Sequence, residues 1–350
     1  MKTITALLAL SVAVFSPTMR GWALDNAGSA ATSAGLAVSV RDYGATGNGT
    51  TDDTAAIQAA IDTSRVVYFP PGVYRFTSTL RLRDNTVLYG DAPESKITAL
   101  AYWGPRGTAV SVTDLSQVTI RDLRIEGIGR ASIGIDATNL VWFLHLRGLI
   151  VTGFDTALKL RRNQQVRITQ CTFFANTKSI EADWVNTIQF NESSIFDIYG
   201  VGIIVGGAAG PVHVMSIRDS SIENSGHLGA VGISIVSGRA IAIDNVYFEI
   251  DSSSGPAIQV PPGASMAKSI GIYNSYVGAD LASYAIFIDR HDATLTVSNS
   301  SFLGLRRPGA AIRNITVGSL TLSGNESTFQ DGGVAPVVDN RANTVALTPF

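Results

Sequence analysis

The chain has 350 residues, of which 45% are hydrophobic and 15% are charged, and its formal net charge is -2. A chain of this length and apolar content is large enough to bury a substantial core. The nearly neutral charge provides no general attraction to nucleic acid or to an anionic membrane surface, so we expect neither as a partner.

The N-terminus has the pattern of a secretory signal peptide over residues 1–23. Lys2 precedes an apolar run that ends at Phe15, and small residues stand at both positions that specify cleavage. An uncleaved anchor is the alternative, although about 12 apolar residues are too few to span a bilayer. The pattern predicts a secreted protein, extracellular or periplasmic. Residues 24–37, rich in Ala, Ser and Gly, predict a flexible linker.

The next segment, residues 38–62, has the pattern of a cap. Asp52 or Thr51 can cap a short helix, in which Ile57 and Ile61 form the apolar stripe. A short amphipathic helix in front of a stack of strands covers its open end and prevents strand addition. We therefore predict an N-terminal capping helix.

A six-residue unit recurs from residue 120 onward. Each unit reads apolar, polar, polar or Gly, small, polar, apolar, and Val297–Phe302 shows it most cleanly. The eight steps between the first and the ninth unit average roughly 25 residues, which is a solenoid period. The units begin at Ile120, Leu146, Ile168, Phe190, Ile217, Ile243, Ile272, Val297 and Val317.

The third position of the unit predicts a bend between two short strands. Asn, Asp and Gly tolerate a left-handed backbone, and stacked Asn side chains can hydrogen bond from coil to coil. A second run with alternating burial follows most units, which gives three strands per coil. The third positions are Asp122, Gly148, Gln170, Glu192, Asp219, Asn245, Asn274 and Asn299.

These patterns predict an all-β fold, a right-handed parallel β-helix of about nine or more coils, as a single domain over residues 38–350. A leucine-rich repeat has a similar period, but no Leu-x-x-Leu-x-Leu frame persists. Cys171 is the only cysteine, so no intramolecular disulfide can form. It occupies the small fourth position of its unit, which predicts a core residue rather than a reactive thiol.

The N-terminal segment resembles that of the pectate-lyase-like β-helix superfamily. The resemblance rests on residues 42–61, which begin Asp-Tyr-Gly-Ala, on residues 66–74 (VVYFPPGVY) and on residues 85–90 (NTVLYG), within a stretch of about 50 residues. It implies the β-helix fold, and a substrate groove along one parallel sheet at the middle coils. The superfamily includes polygalacturonases and related glycoside hydrolases, polysaccharide lyases, epimerases and phage tailspike depolymerases, so the resemblance implies a polysaccharide partner.

Two charged pairs on neighbouring coils form the candidate catalytic site. Alternating burial points Lys159 and Arg161 outward on one coil, and Glu181 and Asp183 outward on the next. Cations can hold sugar carboxylates, and carboxylates can act as general acid and base. Backbone spacings of about 4.8 Å between coils and about 6.8 Å along a strand permit both retaining and inverting hydrolysis. The alternative is a salt-bridge ladder on a solvated face.

Two further candidates come from a resemblance to polygalacturonases. Residues 152–155 (TGFD) resemble the acidic turn of that family, with Phe in place of the first of its two aspartates, and make Asp155 a third carboxylate. Residues 226–229 (GHLG) resemble its Gly-His-Gly stretch and make His227 a substrate contact. The two residues are about three coils apart, where the family has one. A packing turn and a surface histidine are the alternatives.

We therefore expect a secreted glycoside hydrolase that degrades an acidic, uronate-containing polysaccharide through Glu181 and Asp183, without a cofactor or a metal. A lyase that uses β-elimination is an alternative. It would need a base such as Arg218, Arg239 or Tyr199, and cations, often Ca²⁺, that neutralise the substrate carboxylate. Tyr199 is also a candidate substrate contact. A non-catalytic β-helix that binds glycan or adheres to surfaces is the alternative from a different class. Both monomers and homotrimers are compatible with this fold.

Overall fold

The computed structural model describes residues 37–100, 107–224, 227–250, 255–278, 284–289, 293–306, 309–316, 319–329, 331–335 and 337–339. These residues form a right-handed parallel β-helix of about eleven turns with one α-helix, which confirms the predicted fold class. The predicted signal peptide and all but the last residue of the predicted linker lie outside the described residues. No helix in the described ranges is long and apolar enough to cross a membrane.

The strands follow one another with short connections and pair in parallel from coil to coil. The first ten are β1 Ala37–Ser39, β2 Asn48–Asp52, β3 Val66–Phe69, β4 Gly72–Phe76, β5 Leu80–Arg81, β6 Val87–Gly90, β7 Ser95–Ala99, β8 Thr108–Ser111, β9 Val118–Arg121 and β10 Arg124–Thr138. The next ten are β11 Phe143–Arg147, β12 Ile150–Thr169, β13 Thr172–Phe174, β14 Lys178–Asn191, β15 Ser194–Phe196, β16 Val201–Val205, β17 Val212–Asn224, β18 Val231–Ile235, β19 Ser237–Ile250 and β20 Ile258–Val260. The last ten are β21 Met266–Ala267, β22 Ile270–Tyr273, β23 Tyr276–Gly278, β24 Tyr284–Asp289, β25 Thr294–Ser298, β26 Ser301–Leu305, β27 Ala310–Thr316, β28 Ser319–Ser323, β29 Glu326–Phe329 and β30 Val338–Asp339.

Each coil contributes to three parallel faces, which we name sheets A, B and C. In the central coils, sheet A contains residues 156–161, 178–183 and 201–205; sheet B contains 163–169, 185–191 and 212–218; and sheet C contains 172–174, 194–196 and 220–223. The longest strands turn corners without interruption, so that β12 passes from sheet C through sheet A into sheet B.

Sheet A points a column of aliphatic side chains into the core, to which each coil contributes one member. These side chains are in register and no more than 2% exposed, so each coil covers the apolar surface of its neighbour. Full burial of one such side chain stabilises the fold by about 1.5–3 kcal/mol. The column is Leu80, Val110, Ile135, Leu158, Ile180, Ile203, Ile233, Ile258, Ile286 and Ile312.

The bend between sheets B and C is one residue long, as the third position of the repeat predicts. Every residue of the column has a left-handed backbone, with φ from 48° at Asn274 to 60° at Gly324. Asn245 Nδ2 donates to Asp219 Oδ1 of the preceding coil at 2.6 Å, so the expected coil-to-coil hydrogen bonding is present. The residues are Asp122, Gly148, Gln170, Glu192, Asp219, Asn245, Asn274, Asn299 and Gly324.

The ninth repeat unit begins at Leu322 rather than at Val317, where the sequence pattern predicts it, and Val317 itself lies outside the described residues. Val297, which opens the eighth unit, pairs with Leu322, and Gly324 is therefore the ninth bend residue. Leu320, two residues before Leu322 on the same strand, pairs with Leu295. Because apolar residues alternate along this strand, the sequence fits two alignments of the repeat, and only the pairing with the preceding coil selects the correct one.

The predicted capping helix, α1, runs from Thr54 to Thr63 and buries Ile57, Ala60 and Ile61. Its N-cap residue is Asp53, one residue later than expected. The Asp53 carboxylate is 2% exposed and accepts hydrogen bonds from the Thr46 and Gly47 amides at 2.7 and 3.1 Å. These bonds fix the start of the helix against the preceding loop and hold the helix over the open end of the core.

Candidate functional site

Lys159, Arg161, Glu181 and Asp183 lie together on the outer face of sheet A. Lys159 is in register with Glu181, and Arg161 with Asp183. Lys159 Nζ is 3.7 Å from Glu181 Oε1, and Arg161 Nε is 3.9 Å from Asp183 Oδ2. The four side chains therefore form two adjacent ion pairs that bridge neighbouring coils, with exposed fractions of 20–47%.

Glu181 contacts a second cation that sequence reasoning missed. Lys178 Nζ lies 3.0 Å from Glu181 Oε2, so each oxygen of this carboxylate faces its own ammonium group. Ion pairs that reach solvent contribute only about 0–1 kcal/mol to stability. An anionic ligand can therefore take the place of Glu181 beside these lysines at little cost.

Asp183 has a structural function in addition. Its carboxylate accepts hydrogen bonds from the amides of Ala209 and Gly210 at 3.1 and 3.0 Å. A Cβ atom at Gly207 would lie 2.9 Å from Asp183 Cγ, so the backbone approaches the carboxylate closely. Asp183 thus fastens the turn between sheets A and B, and it is less free than Glu181 to contact a ligand.

The charged surface continues toward the N-terminal coils as a cleft. Asp136 precedes Lys159 in register, and Ser111 and Arg81 precede Asp136. These three residues line a cleft of about 460 Å³. Asp136 Oδ2 accepts from Thr108 Oγ1 at 3.4 Å, whereas its buried Oδ1 has no hydrogen-bond partner among the described residues. Such a half-paired carboxylate is costly to bury and marks a candidate ligand contact.

A second cluster forms at the corner between sheets C and A. His227 Nε2 lies 2.8 Å from Asp197 Oδ1, and the rings of His227 and Tyr199 have centroids 3.9 Å apart. A carboxylate on one ring nitrogen sets the orientation of an imidazole. Asp197 was not predicted. The structure thus joins His227 and Tyr199, which the sequence offered separately, into one group that could transfer a proton.

The two clusters are separate, and Asp155 joins neither of them. Tyr199 lies five residues before Ile204, the register partner of Glu181, and it belongs to the corner that precedes β16 rather than to the strand itself. Asp155 is exposed at the same corner as Tyr199 but two coils earlier, about 10 Å away. It also lies four residues, or about 13 Å, before Lys159.

The remaining candidates lie elsewhere. Arg218 and Arg239 are on sheet B, away from the charged surface of sheet A. Cys171 is 1% exposed, and burial raises the pKa of its thiol to about 12. Within the described ranges, no group of three or more His, Cys, Asp or Glu side chains is placed to hold a metal ion.

Comparison with known proteins agrees with this architecture. Residues 37–122 match the family model described as rhamnogalacturonase A/epimerase, pectate lyase-like. The chain has the pectate-lyase-like right-handed β-helix fold. The matched residues include α1 and the first strands of sheets B and C, the segment on which the resemblance in the sequence rests.

Two solved structures share the whole solenoid. PfbA, a surface adhesin of Streptococcus pneumoniae, superposes with a TM-score of 0.60 at 14% identity over 87% of this chain and 93% of its own. The A-module of mannuronan C-5 epimerase AlgE4 from Azotobacter vinelandii gives 0.60 at 14% identity, over 89% of this chain and 100% of its own. At such identities the likeness concerns the fold alone.

A curated relative matches in sequence over a shorter segment. Mannuronan C5-epimerase AlgE6 of Azotobacter vinelandii is 35% identical over 109 residues, which are 25% of this chain and 12% of the relative. The chain thus matches only about an eighth of that protein.

Proposed function

We propose that the chain is an extracellular enzyme that binds an acidic, uronate-containing polysaccharide along the outer face of sheet A and hydrolyses it. The observation that supports this most is the outward column Asp136, Lys159 and Glu181, with Arg161 and Asp183 beside it. A parallel sheet that repeats every 4.8 Å or so offers a straight, shallow surface for a linear polymer. The relative named as a mannuronan epimerase is consistent with a uronate substrate.

In this proposal the cations bind the substrate. Lys159, Lys178 and Arg161 exchange their carboxylate partners for sugar carboxylates, and the planar Arg161 guanidinium can bind one through two hydrogen bonds. Because these ion pairs are partly exposed, the exchange costs little. Anionic chains are then preferred over neutral ones.

The carboxylates of the same surface carry out the chemistry. Glu181 and Asp183 are the proposed acid and base, about 6.8 Å apart along the strand at the level of the backbone. Asp136 is a second partner for Glu181, two coils or about 9.6 Å away, close to the separation at which a water molecule fits between the two groups of an inverting enzyme. Asp155, one corner away, would contact a more distant sugar.

A second candidate reaction is β-elimination from the same class of polymer. It is favoured by the His227–Asp197 contact at 2.8 Å with Tyr199 stacked alongside, which is a suitable base and proton donor. His227 would then remove the proton next to the uronate carboxylate, with Ca²⁺ or a lysine neutralising that carboxylate. A non-catalytic role in glycan binding or adhesion is the candidate from a different class.

Incubation of the mature protein with polygalacturonate, alginate and other acidic polysaccharides tests the proposal. New reducing ends without the ultraviolet absorbance of an unsaturated product indicate hydrolysis, and Glu181→Gln should remove them. A rise in both reducing ends and ultraviolet absorbance indicates elimination. His227→Ala should then lose both signals. Glu126→Gln is the matched control, because Glu126 also pairs with a lysine of the preceding coil, Lys96, but on sheet C. Silence across the panel contradicts an enzymatic function.

A further inference from the structure

The outer face of sheet C has an abrupt change in side-chain size. The position two residues after the bend is Ser194 and then Ser221 in two successive coils, and Tyr247 and then Tyr276 in the next two. These four residues are in register. The small side chains leave a cleft of about 600 Å³ beside the tyrosines.

The two tyrosines form a rigid wall at one end of this cleft. Their rings are stacked with centroids 5.2 Å apart and planes inclined by 4°, and they are 41% and 38% exposed. Because Tyr276 covers one face of Tyr247, the other face of Tyr247 points toward Ser221 of the preceding coil. The Tyr247 hydroxyl donates to Glu249 Oε2 at 3.0 Å, which fixes the ring.

The environment of Tyr247 keeps its hydroxyl neutral. Burial, together with the hydrogen bond to Glu249, raises the pKa of Tyr247 to about 12. The ring therefore remains an uncharged, flat and largely apolar surface at any physiological pH.

The bend residues provide the polar side of the cleft. Glu192, Asp219 and Asn245 line it from successive coils, and Asn245 Nδ2 binds one oxygen of Asp219 at 2.6 Å. Carboxylate and amide oxygens accept hydrogen bonds from hydroxyl groups. Among the described lining residues there is no lysine or arginine, so the cleft disfavours anionic ligands. It differs in this respect from the lysine-rich surface of sheet A.

We propose that this cleft is a second glycan-binding site, specific for a neutral chain of hexopyranose units. One sugar ring stacks its C–H face on Tyr247, which buries apolar surface on both sides. Hydroxyl groups of the same sugar and its neighbour donate to Glu192 and Asp219 in charge-assisted hydrogen bonds. The site lies on a different face of the solenoid from the charged cluster of sheet A, and it does not depend on the reaction proposed there.

Isothermal titration calorimetry on the full chain tests this site with neutral hexasaccharides of glucose, mannose and galactose, and with hexagalacturonate. We expect binding of at least one neutral hexasaccharide. Tyr247→Ser, which repeats the residue of the two preceding coils, should raise its dissociation constant about tenfold or more. Tyr68→Ser is the matched control, since Tyr68 also stacks on a tyrosine, Tyr89 at 5.0 Å, but lies on sheet B. This control should bind as the unaltered chain does.

A filling variant tests the cleft without removing a contact. Ser194→Tyr/Ser221→Tyr extends the tyrosine column backwards and occupies the space of the sugar, so binding should be lost while thermal unfolding stays unchanged. The proposal is overturned if no neutral hexasaccharide binds, if neither the Tyr247→Ser nor the filling variant weakens binding, or if hexagalacturonate is the ligand that both variants lose. Glu181→Gln should leave neutral-sugar binding unchanged, which separates this result from the reaction on sheet A.

Discussion

The two ends of sheet C differ in kind. The bend before sheet C uses one residue per coil, and nine successive coils repeat the same left-handed backbone there. The corner after sheet C changes from coil to coil, and its described connections include residues 175–177, 197–200 and 227–230. The variable corner carries Asp197, Tyr199 and His227, whereas the constant bend is fixed by the stacking of coils. In this solenoid, repetition marks a backbone requirement, and departure from it marks a candidate site.

The largest expected effect separates chemistry from stability on sheet A. Glu181→Gln and Asp183→Asn should each lower the rate of polysaccharide cleavage by about 10²–10⁴-fold, the usual contribution of an acid or base catalyst. Thermal unfolding should change by less than about 1 kcal/mol, because the ion pairs are partly exposed and the amide oxygen introduced by Asp183→Asn can still accept from the turn amides. Cleavage rates and calorimetry on the same preparations check this. Normal turnover in both variants would refute the assignment of these carboxylates.

The next effect concerns the support of the variable corner. Asn176 is 0% exposed; its side chain accepts from the Phe154 amide at 3.0 Å and donates to the Val151 carbonyl at 3.1 Å. Asn176→Ala removes both of these buried hydrogen bonds, so we expect a loss of about 2–4 kcal/mol in the free energy of unfolding. Urea denaturation measures it. Thr177→Ala, next to it and partly exposed, should change stability by less than about 0.5 kcal/mol. Equal effects of the two changes would contradict the role given to Asn176.

At the constant bend the expected effect is smaller. Asn245 has φ 54°, and an alanine there would retain the left-handed backbone without the amide that binds Asp219. Asn245→Ala should cost about 1–2 kcal/mol, whereas Asn245→Gly should cost less because glycine adopts this conformation freely. Thermal unfolding of the two variants gives the comparison. Greater stability of the alanine variant would show that backbone conformation does not select the bend residues.

The smallest effect is at the buried column next to the bend. Since the pKa of Cys171 is raised to about 12, its thiol stays protonated at neutral pH and is unreactive. A thiol reagent should label Cys171 only after denaturation, and Cys171→Ser should change stability by about 1 kcal/mol or less, because Ser193 holds the same position in the next coil. Rapid labelling of the native chain would contradict the burial of this thiol.

The sequence predicted the parts of the molecule that repeat. A left-handed bend restricts the residue types at one position, so the column of bend residues from Asp122 to Asn299 could be predicted. Burial of one face of a strand imposes an alternation of apolar and polar residues, so the outward orientation of Lys159 and Glu181 could also be predicted. The ninth unit could not be predicted, because apolar residues at 317, 320 and 322 fit two frames that only pairing distinguishes.

Two of the side-chain contacts at the candidate sites were not accessible from the sequence. Lys178 and Asp197 reach their partners through side-chain conformations that no spacing rule encodes. The tyrosine wall did leave a signal. Tyr247 and Tyr276 each stand two residues after a bend asparagine, and the two coils before Tyr247 have serine at this position. A break in a repeated column is therefore the pattern to search for in related solenoids.

The most direct test of the account is a crystal structure of the Glu181→Gln variant with hexagalacturonate. We predict an oligosaccharide that runs along the outer face of sheet A, parallel to the solenoid axis, with its carboxylates bound to Lys159 and Arg161. The cleft beside Tyr247 should hold no uronate. An oligouronate bound in the tyrosine cleft instead, or lying across sheet B or C with sheet A empty, would contradict the assignment of the acidic-polysaccharide surface.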